Sequence, residues 1–336
     1  MTGRVLMGSP LDVFMRYLNT VALMRHLINC GDDGVIACTL RSAPKRAHPA
    51  GGTMGSGGSP MWKGVNWMRV LISVDMEGIA GVVHSDDIQP GHREYERNRA
   101  LLTAEANAAV RGVYAYAADA QVVVADAHAQ FRNLLPELLD QRAELLRGTP
   151  RPNGMMAGLA ADIDAVLFVG YHGKAGASRS VLAHTTSGRV IADVRCNGSS
   201  LGELGLNAAL AAHHGVPSVL VSGDDTVAAE AVEGMRCVVV KQALGARAAR
   251  MIHPQEACRR IEREVPLALA DRSAVRVRRF DGPVRLEVQV HRPHMTEHAL
   301  LVPGMERVDG CTLRYEALDF PTAYDIVELI AVLGAL

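Results

Sequence analysis

From Met68 onward the chain alternates short unbroken apolar runs with longer stretches whose apolar residues recur every three or four positions. The runs read as strands buried on both faces, and the periodic stretches as helices with one face in a core. "RVLISVD" ends in a turn, and the long Ala-rich segment "EYERNRALLTAEANAAVRGVYAYAAD" follows as a helix. "AQVVVADAH" and "AVLFVGYHG" are the second and third strands, and "SLGELGLNAALAAHHG" is a helix closed by Gly215. "PSVLVSGD" is a fourth strand, with "TVAAEAVEG" as a helix after it. Beyond about residue 255 the texture changes. "AVRVRRF" and "PVRLEVQV" alternate apolar and polar positions as half-exposed antiparallel strands do, and "TAYDIVELIAVLGAL" closes the chain as a helix. The pattern predicts an α/β fold. Residues 68–255 would form a three-layer sandwich with a mostly parallel sheet, and residues 256–336 a smaller C-terminal α+β subdomain.

Residues 1–67 do not share this pattern. Leu11, Phe14, Leu18, Val21, Met24 and Ile28 have helical spacing over 11–29, yet no core is evident for that helix to join. The Gly/Ser/Pro tract "AHPAGGTMGSGGSPMW" has linker character, and Met68 stands immediately before "RVLISVDMEG". The segment is therefore expected to be a disordered extension or an over-extended gene start.

Composition narrows the class. Of 336 residues, 49% are apolar and 21% charged, the proportions of a globular protein in water. A net charge of −1 and 4% aromatic residues give no electrostatic or stacking case for nucleic acid or anionic lipid. No apolar run reaches the roughly 18 residues of a membrane span. The start lacks a continuous apolar segment of the signal-peptide kind. Six scattered cysteines with no CxxC pair suit neither a zinc knot nor a disulfide scaffold. A cytoplasmic protein with free thiols is expected.

Against the apolar background, carboxylates and imidazoles fall at the carboxyl ends of the strands, where open α/β sheets bind ligands. The first strand delivers Asp75 and Glu77 in "SVDMEG", the second Asp126 and His128, and the third His172. His184 lies in "LAHTTSG", and Glu203 opens a helix in "LGELGLN". Singly, each has an ordinary reading: Asp75 as a cap or turn former, His128 as hydrogen-bonded core, Glu203 as a solvated helix residue. Their convergence from three strands is what points to a site. Asp, Glu and His without thiolates suit zinc or manganese in a hydrolytic centre. Five protein ligands are too many for one catalytic zinc, but two metals about 3.5–4 Å apart could share them through a bridging carboxylate. Period-2 geometry puts Asp126 on the same side as His128, as an orienting partner or, equally, a turn residue. Gly223-Asp224-Asp225 either lines the site or caps a helix. The histidines of "HRPHMTEH" (291–298) read as loop residues.

"SVDMEGIAG", "ADAH", "FVGYHG", "LAHTTSG", "NGSSLGELGLNAALAAHHGVP" and "SGDD" occur in the order seen in the DppA-type D-aminopeptidases, the M55 family of zinc metallopeptidases. The resemblance runs from Met68 to near the C-terminus. It implies two zinc ions per subunit, with manganese as an alternative, held by Asp75, Glu77, His128, His172 and Glu203. It further implies Asp75 as the bridge and His184 as the active-site histidine. Hydrolysis of short peptides bearing an N-terminal D-amino acid follows from the same likeness, as does assembly as a homodecamer enclosing a channel. Attack by metal-activated water is expected, with His184 as general acid/base rather than covalent nucleophile, because a histidine near neutral pKa suits proton transfer. Two other readings stay open: a binuclear hydrolase of another amide or a phosphoester, and an inactive metal-stabilised assembly subunit.

Overall fold

The computed structural model describes residues 67–276 and 279–336. The helix expected over 11–29 and the linker tract after it lie outside the described residues. The unbroken apolar runs become strands with both faces covered: β1 (Arg69–Val74), β2 (Gln121–Asp126), β4 (Ala165–Tyr171) and β7 (Ser218–Asp224). Three strands not anticipated from the pattern complete the sheet: β3 (Ala143–Leu146), β8 (Arg236–Gly245) and β9 (Ala248–Met251). The order is β3-β2-β1-β4-β7-β8-β9, parallel throughout except for the β8–β9 hairpin. The chain winds outward one way from β1 to β3 and then the other way from β4. β1 and β4, neighbours in the centre, therefore flank the topological switch point, where such sheets leave a crevice at their carboxyl ends.

Helices form the outer layers. α1 (Arg93–Tyr116) covers β1, β2 and β4, and a second long helix of this face packs along it. α2 (Glu203–His213) covers β4 and β7 on the other face, and α3 (Asp225–Glu230) is a short turn after β7. The partner of α1 is α4 (Pro254–Ala270), whose Ala257, Ile261, Val265, Ala268 and Leu269 form its buried stripe. Val70, Ile72 and Val74 of β1 join the core under α1 and α4. The intervening Leu71 and Ser73 lie on the opposite face of the sheet, and so does Asp75, which continues that alternation beyond the strand.

A separate antiparallel sheet has the order β11-β12-β10-β5-β6, from β5 (Ile191–Cys196), β6 (Ser199–Ser200), β10 (Val284–Val290), β11 (Glu306–Arg307) and β12 (Thr312–Ala317). The closing helix α5 (Phe320–Leu333) lies on β10 and β12 and backs α2. The fold is thus α/β with a mostly parallel sheet, as the pattern predicts. The expected division at residue 255 falls at the first turn of α4, and the antiparallel sheet draws β5 and β6 from before it. "AVRVRRF" departs from expectation: Ala274 ends a 3-10 turn and the Arg276 amide bonds the Glu233 carbonyl (2.9 Å), so its described residues form no strand. Among the described residues no helix is long and apolar enough to cross a membrane.

Candidate metal centre

The crevice between β1 and β4 is closed by two glycines. Gly78 donates its amide to the Gly170 carbonyl (2.7 Å), and a Cβ at Gly78 would collide with the Tyr171 carbonyl oxygen. Gly170 has φ +74°, and a Cβ there would meet the Asp75 carbonyl oxygen. The two chain segments touch backbone to backbone, which brings the residues after β1 against those after β4. Without a side chain, Gly78 permits this close approach.

Asp75, Glu77, His128, His172 and Glu203 come together there, none more than 7% exposed. Glu77 Oε2 faces His128 Nδ1 at 2.9 Å. The two oxygens of Asp75 face different imidazoles, Oδ1 at 3.4 Å from His128 Nδ1 and Oδ2 at 3.4 Å from His172 Nε2. Glu203, the first residue of α2, has Oε2 3.3 Å from His172 Nε2 and Oε1 3.4 Å from His184 Nε2. The Thr186 amide donates to Glu203 Oε1 (2.7 Å) and holds it. His184 stacks on His172 with ring centroids 4.2 Å apart, and its side chain is 21% exposed.

Each imidazole has its other nitrogen on a backbone carbonyl. His128 Nε2 donates to Ile88 O (3.1 Å), His172 Nδ1 to Gly173 O (2.9 Å) and His184 Nδ1 to Leu182 O (2.9 Å). A carbonyl oxygen only accepts, so the neutral ring must carry its proton on that side and turn a lone pair toward the carboxylates. Lone pair against carboxylate is repulsive unless a cation lies between them. The electrostatics agree. Burial would lower the pKa of His128 and His172, but the carboxylates, led by Glu77 for the first and Glu203 for the second, raise both well above the ordinary value. Burial would raise Glu77 and Glu203, yet the imidazoles hold both below it, led by His128 and His172 respectively. Asp75 goes well up, through burial and the neighbouring Glu77. Asp75 Oδ2 and His172 Nε2 are, besides, buried without a hydrogen-bond partner. The donor set and its orphaned atoms fit divalent metal of the zinc type.

Ligand-type atoms within 4.8 Å of one another form three groups among the described residues: Asp75, Glu77 and His128; Asp75, His172 and Glu203; and Glu77, His172 and His184. With that geometry, comparison with known proteins is decisive. A family model for D-aminopeptidases, Peptidase M55, matches residues 68–329.

The chain belongs to the M55 D-aminopeptidase family.

A D-aminopeptidase of Bacillus subtilis (strain 168) is 33% identical over 275 residues, covering 80% of this chain and 98% of the relative. A solved structure, the Zn-dependent D-aminopeptidase DppA from Bacillus subtilis, is described as a self-compartmentalizing protease. It matches with a TM-score of 0.77 and 30% identity, over 80% of this chain and 98% of that one. As an M55 member the chain is a metallo-aminopeptidase, a peptide hydrolase, which decides against the phosphoesterase and assembly-subunit readings.

Around the M55 ligand-type residues, several side chains take parts that differ from expectation or were not foreseen. Asp126 does not reach the His128 ring. Its carboxylate accepts from the Leu134 amide (2.7 Å) and Asn133 Nδ2 (2.8 Å), and Asn133 Nδ2 also donates to the His128 carbonyl (2.6 Å). The turn reading of Asp126 is the one observed, and it steadies the backbone behind His128. Asp224 caps α3 through the Val227 amide (2.8 Å) and also accepts from the Ser180 hydroxyl (3.1 Å). Asp225 accepts from the Ala243 amide (2.8 Å), so both carboxylates are taken up in local structure. His294 lies in a 3-10 turn after β10, and His298 just beyond it. Two buried groups were missed altogether. Lys241 of β8 turns inward under the loop after β1, with its pKa lowered to about 8 by burial. Glu105 of α1 meets the same loop from the helix side, and burial raises it to about 7. Their only trace in the sequence is a charged residue on an otherwise apolar face, at "VVVKQAL" and "LLTAEANAAV".

Proposed function

We propose that this M55 chain is a zinc aminopeptidase for short peptides with an N-terminal D-residue, built on two metal positions. One is offered by Asp75, Glu77 and His128, the other by Asp75, His172 and Glu203. The observation that carries the reading is Asp75, which belongs to both groups and whose two oxygens face the imidazoles of the two, so that it could serve both positions. Zinc is chosen over manganese because the similar DppA is described as Zn-dependent, and the D-preference follows the names of the relatives. Bound there, zinc would supply a water of lowered pKa and a Lewis acid for the scissile carbonyl.

The chain's own residues do the rest. His184 is the most exposed of the six and is oriented by its bond to the Leu182 carbonyl. Its Nε2 is the atom that takes a proton from the attacking water and delivers it to the leaving amine. Glu203, 3.4 Å away, stabilises the imidazolium between those two events. This keeps His184 as acid/base, not nucleophile. Likeness to a self-compartmentalizing protease supports assembly of this chain into a homo-oligomer, the decamer implied by the family resemblance. A cytoplasmic location, with neither nucleic acid nor membrane as partner, completes the reading.

The test pairs metal analysis with turnover of matched D- and L-dipeptides. Asp75→Ala is expected to lose bound zinc and peptidase activity together, because both metal positions use Asp75. Full activity at unchanged zinc content would overturn the proposal.

A further inference from the structure

Residues 75–82 run irregularly yet are almost wholly buried, with only Gly81 partly exposed. A buried stretch without helix or strand partners must find a bond for each backbone polar group. Its amides find them singly. Asp75 N donates to Val169 O (2.8 Å), Met76 N to Asp75 Oδ1 (2.8 Å), Gly78 N to Gly170 O (2.7 Å) and Ala80 N to Glu105 Oε1 (2.8 Å). Three of its carbonyls converge on one atom. Lys241 Nζ donates to the carbonyls of Glu77 (2.5 Å), Ile79 (3.0 Å) and Val82 (2.6 Å).

Those bonds use all three ammonium protons. Lys241 comes from β8, opposite Asp224 of β7, so its side chain ties the third strand from β1 to the loop that β1 feeds. None of its hydrogen-bond partners is a carboxylate. A dehydrated ammonium is costly, and a fully buried lysine is rare in an ordinary core. Here it does what no apolar residue could, binding the main chain of Glu77 itself. Glu105 grips the same loop at Ala80 from α1.

From this convergence we infer that Lys241, supported by Glu105, is the positioning residue for Glu77, and that it sets the affinity of the Asp75–Glu77–His128 metal position selectively. The inference rests on the two-metal reading above. The Asp75–His172–Glu203 position takes two of its three ligands from just after β4 and from the start of α2, and the Lys241 hydrogen bonds go instead to Glu77, Ile79 and Val82. Residues that orient metal ligands typically change affinity about 10–100-fold when replaced.

The experiment is zinc titration of the full-length protein against a chromophoric chelator, with thermal unfolding as the fold control. The unsubstituted chain is expected to bind two zinc ions. Lys241→Met should weaken one of them about 10–100-fold and leave the other unchanged. Lys241→Ala should behave likewise and recover in the presence of propylammonium, which replaces the missing donors. Glu105→Leu, which removes the acceptor for Ala80 and leaves Lys241 in place, should weaken the same ion and carries the test if Lys241→Met does not fold. Wild-type affinity at both positions in the Lys241 variants overturns the inference alone, as does equal weakening of both or failure of the amine to rescue. No zinc bound by the unsubstituted chain overturns the two-metal reading and this inference with it.

Discussion

A backbone carbonyl behind each imidazole decides which nitrogen turns toward the carboxylates, and that detail lies below the reach of sequence. The residue types were legible: Asp75, Glu77, His128, His172 and Glu203 stand out because each interrupts or ends an apolar run. The partners of His128, His172 and His184 at Ile88, Gly173 and Leu182 are main-chain atoms, which carry no letter of their own. Glu105 was hidden for a different reason. A glutamate in an Ala-rich helix usually faces water, and only the neighbouring loop turns this one inward. Its pKa, raised by burial from 4.5 to about 7, makes a prediction. The folded chain holds this proton more tightly than the unfolded chain. The resulting stabilisation is complete below pH 4.5 and is lost as pH rises through about 7, a swing of about 3 kcal/mol. Glu105→Gln removes that titration. Its stability relative to the parent should therefore rise between pH 5 and pH 8 in denaturant unfolding, and a pH-independent difference would refute the assignment.

At the scale of elements, the long apolar strands and the helices α1, α2 and α5 were readable because their periods are unambiguous. The regularly alternating β10 was readable too, whereas short pieces and those without a clean period were not. β3 has no fully buried residue, and β5 mixes buried, half-buried and exposed positions without regular alternation. Tertiary pairing makes them strands, since β3 borrows its register from β2 and β5 from β10. The contact between the ends of β1 and β4 belongs to this scale too. Gly78→Ala would force a methyl into the Tyr171 carbonyl, which backbone on both sides cannot absorb by a rotamer change. The expected loss is at least about 1–3 kcal/mol in urea unfolding, with bound zinc reduced in the folded fraction. An unperturbed variant would mean that the crevice is looser than this packing requires.

At the scale of the molecule, the elements described here begin at Arg69, and the family match begins at residue 68. We propose that residues 1–67 are dispensable for catalysis. A chain starting at Met68 should melt at the same temperature as the full chain and cleave D-dipeptides with the same kcat/KM; a large drop in either would show that the extension contributes. The C-terminal part is a different matter. Tyr324 of α5 donates to Asn207 of α2 (2.8 Å), Asn207 to the Tyr171 hydroxyl (2.9 Å), and Ser73 completes the chain (2.7 Å) two residues before Asp75. Between Tyr171 and Glu203 the chain leaves the parallel sheet, contributes His184, lays down β5 and β6 in the other sheet, and returns as α2. β5 has β10 as its inner neighbour, and α2 is backed chiefly by α5 on the side away from the sheet. On a ribosome, then, every proposed ligand emerges long before the segments that brace the helix carrying Glu203. The centre would be among the last parts to become competent, a built-in delay between making the ligands and arming the protease.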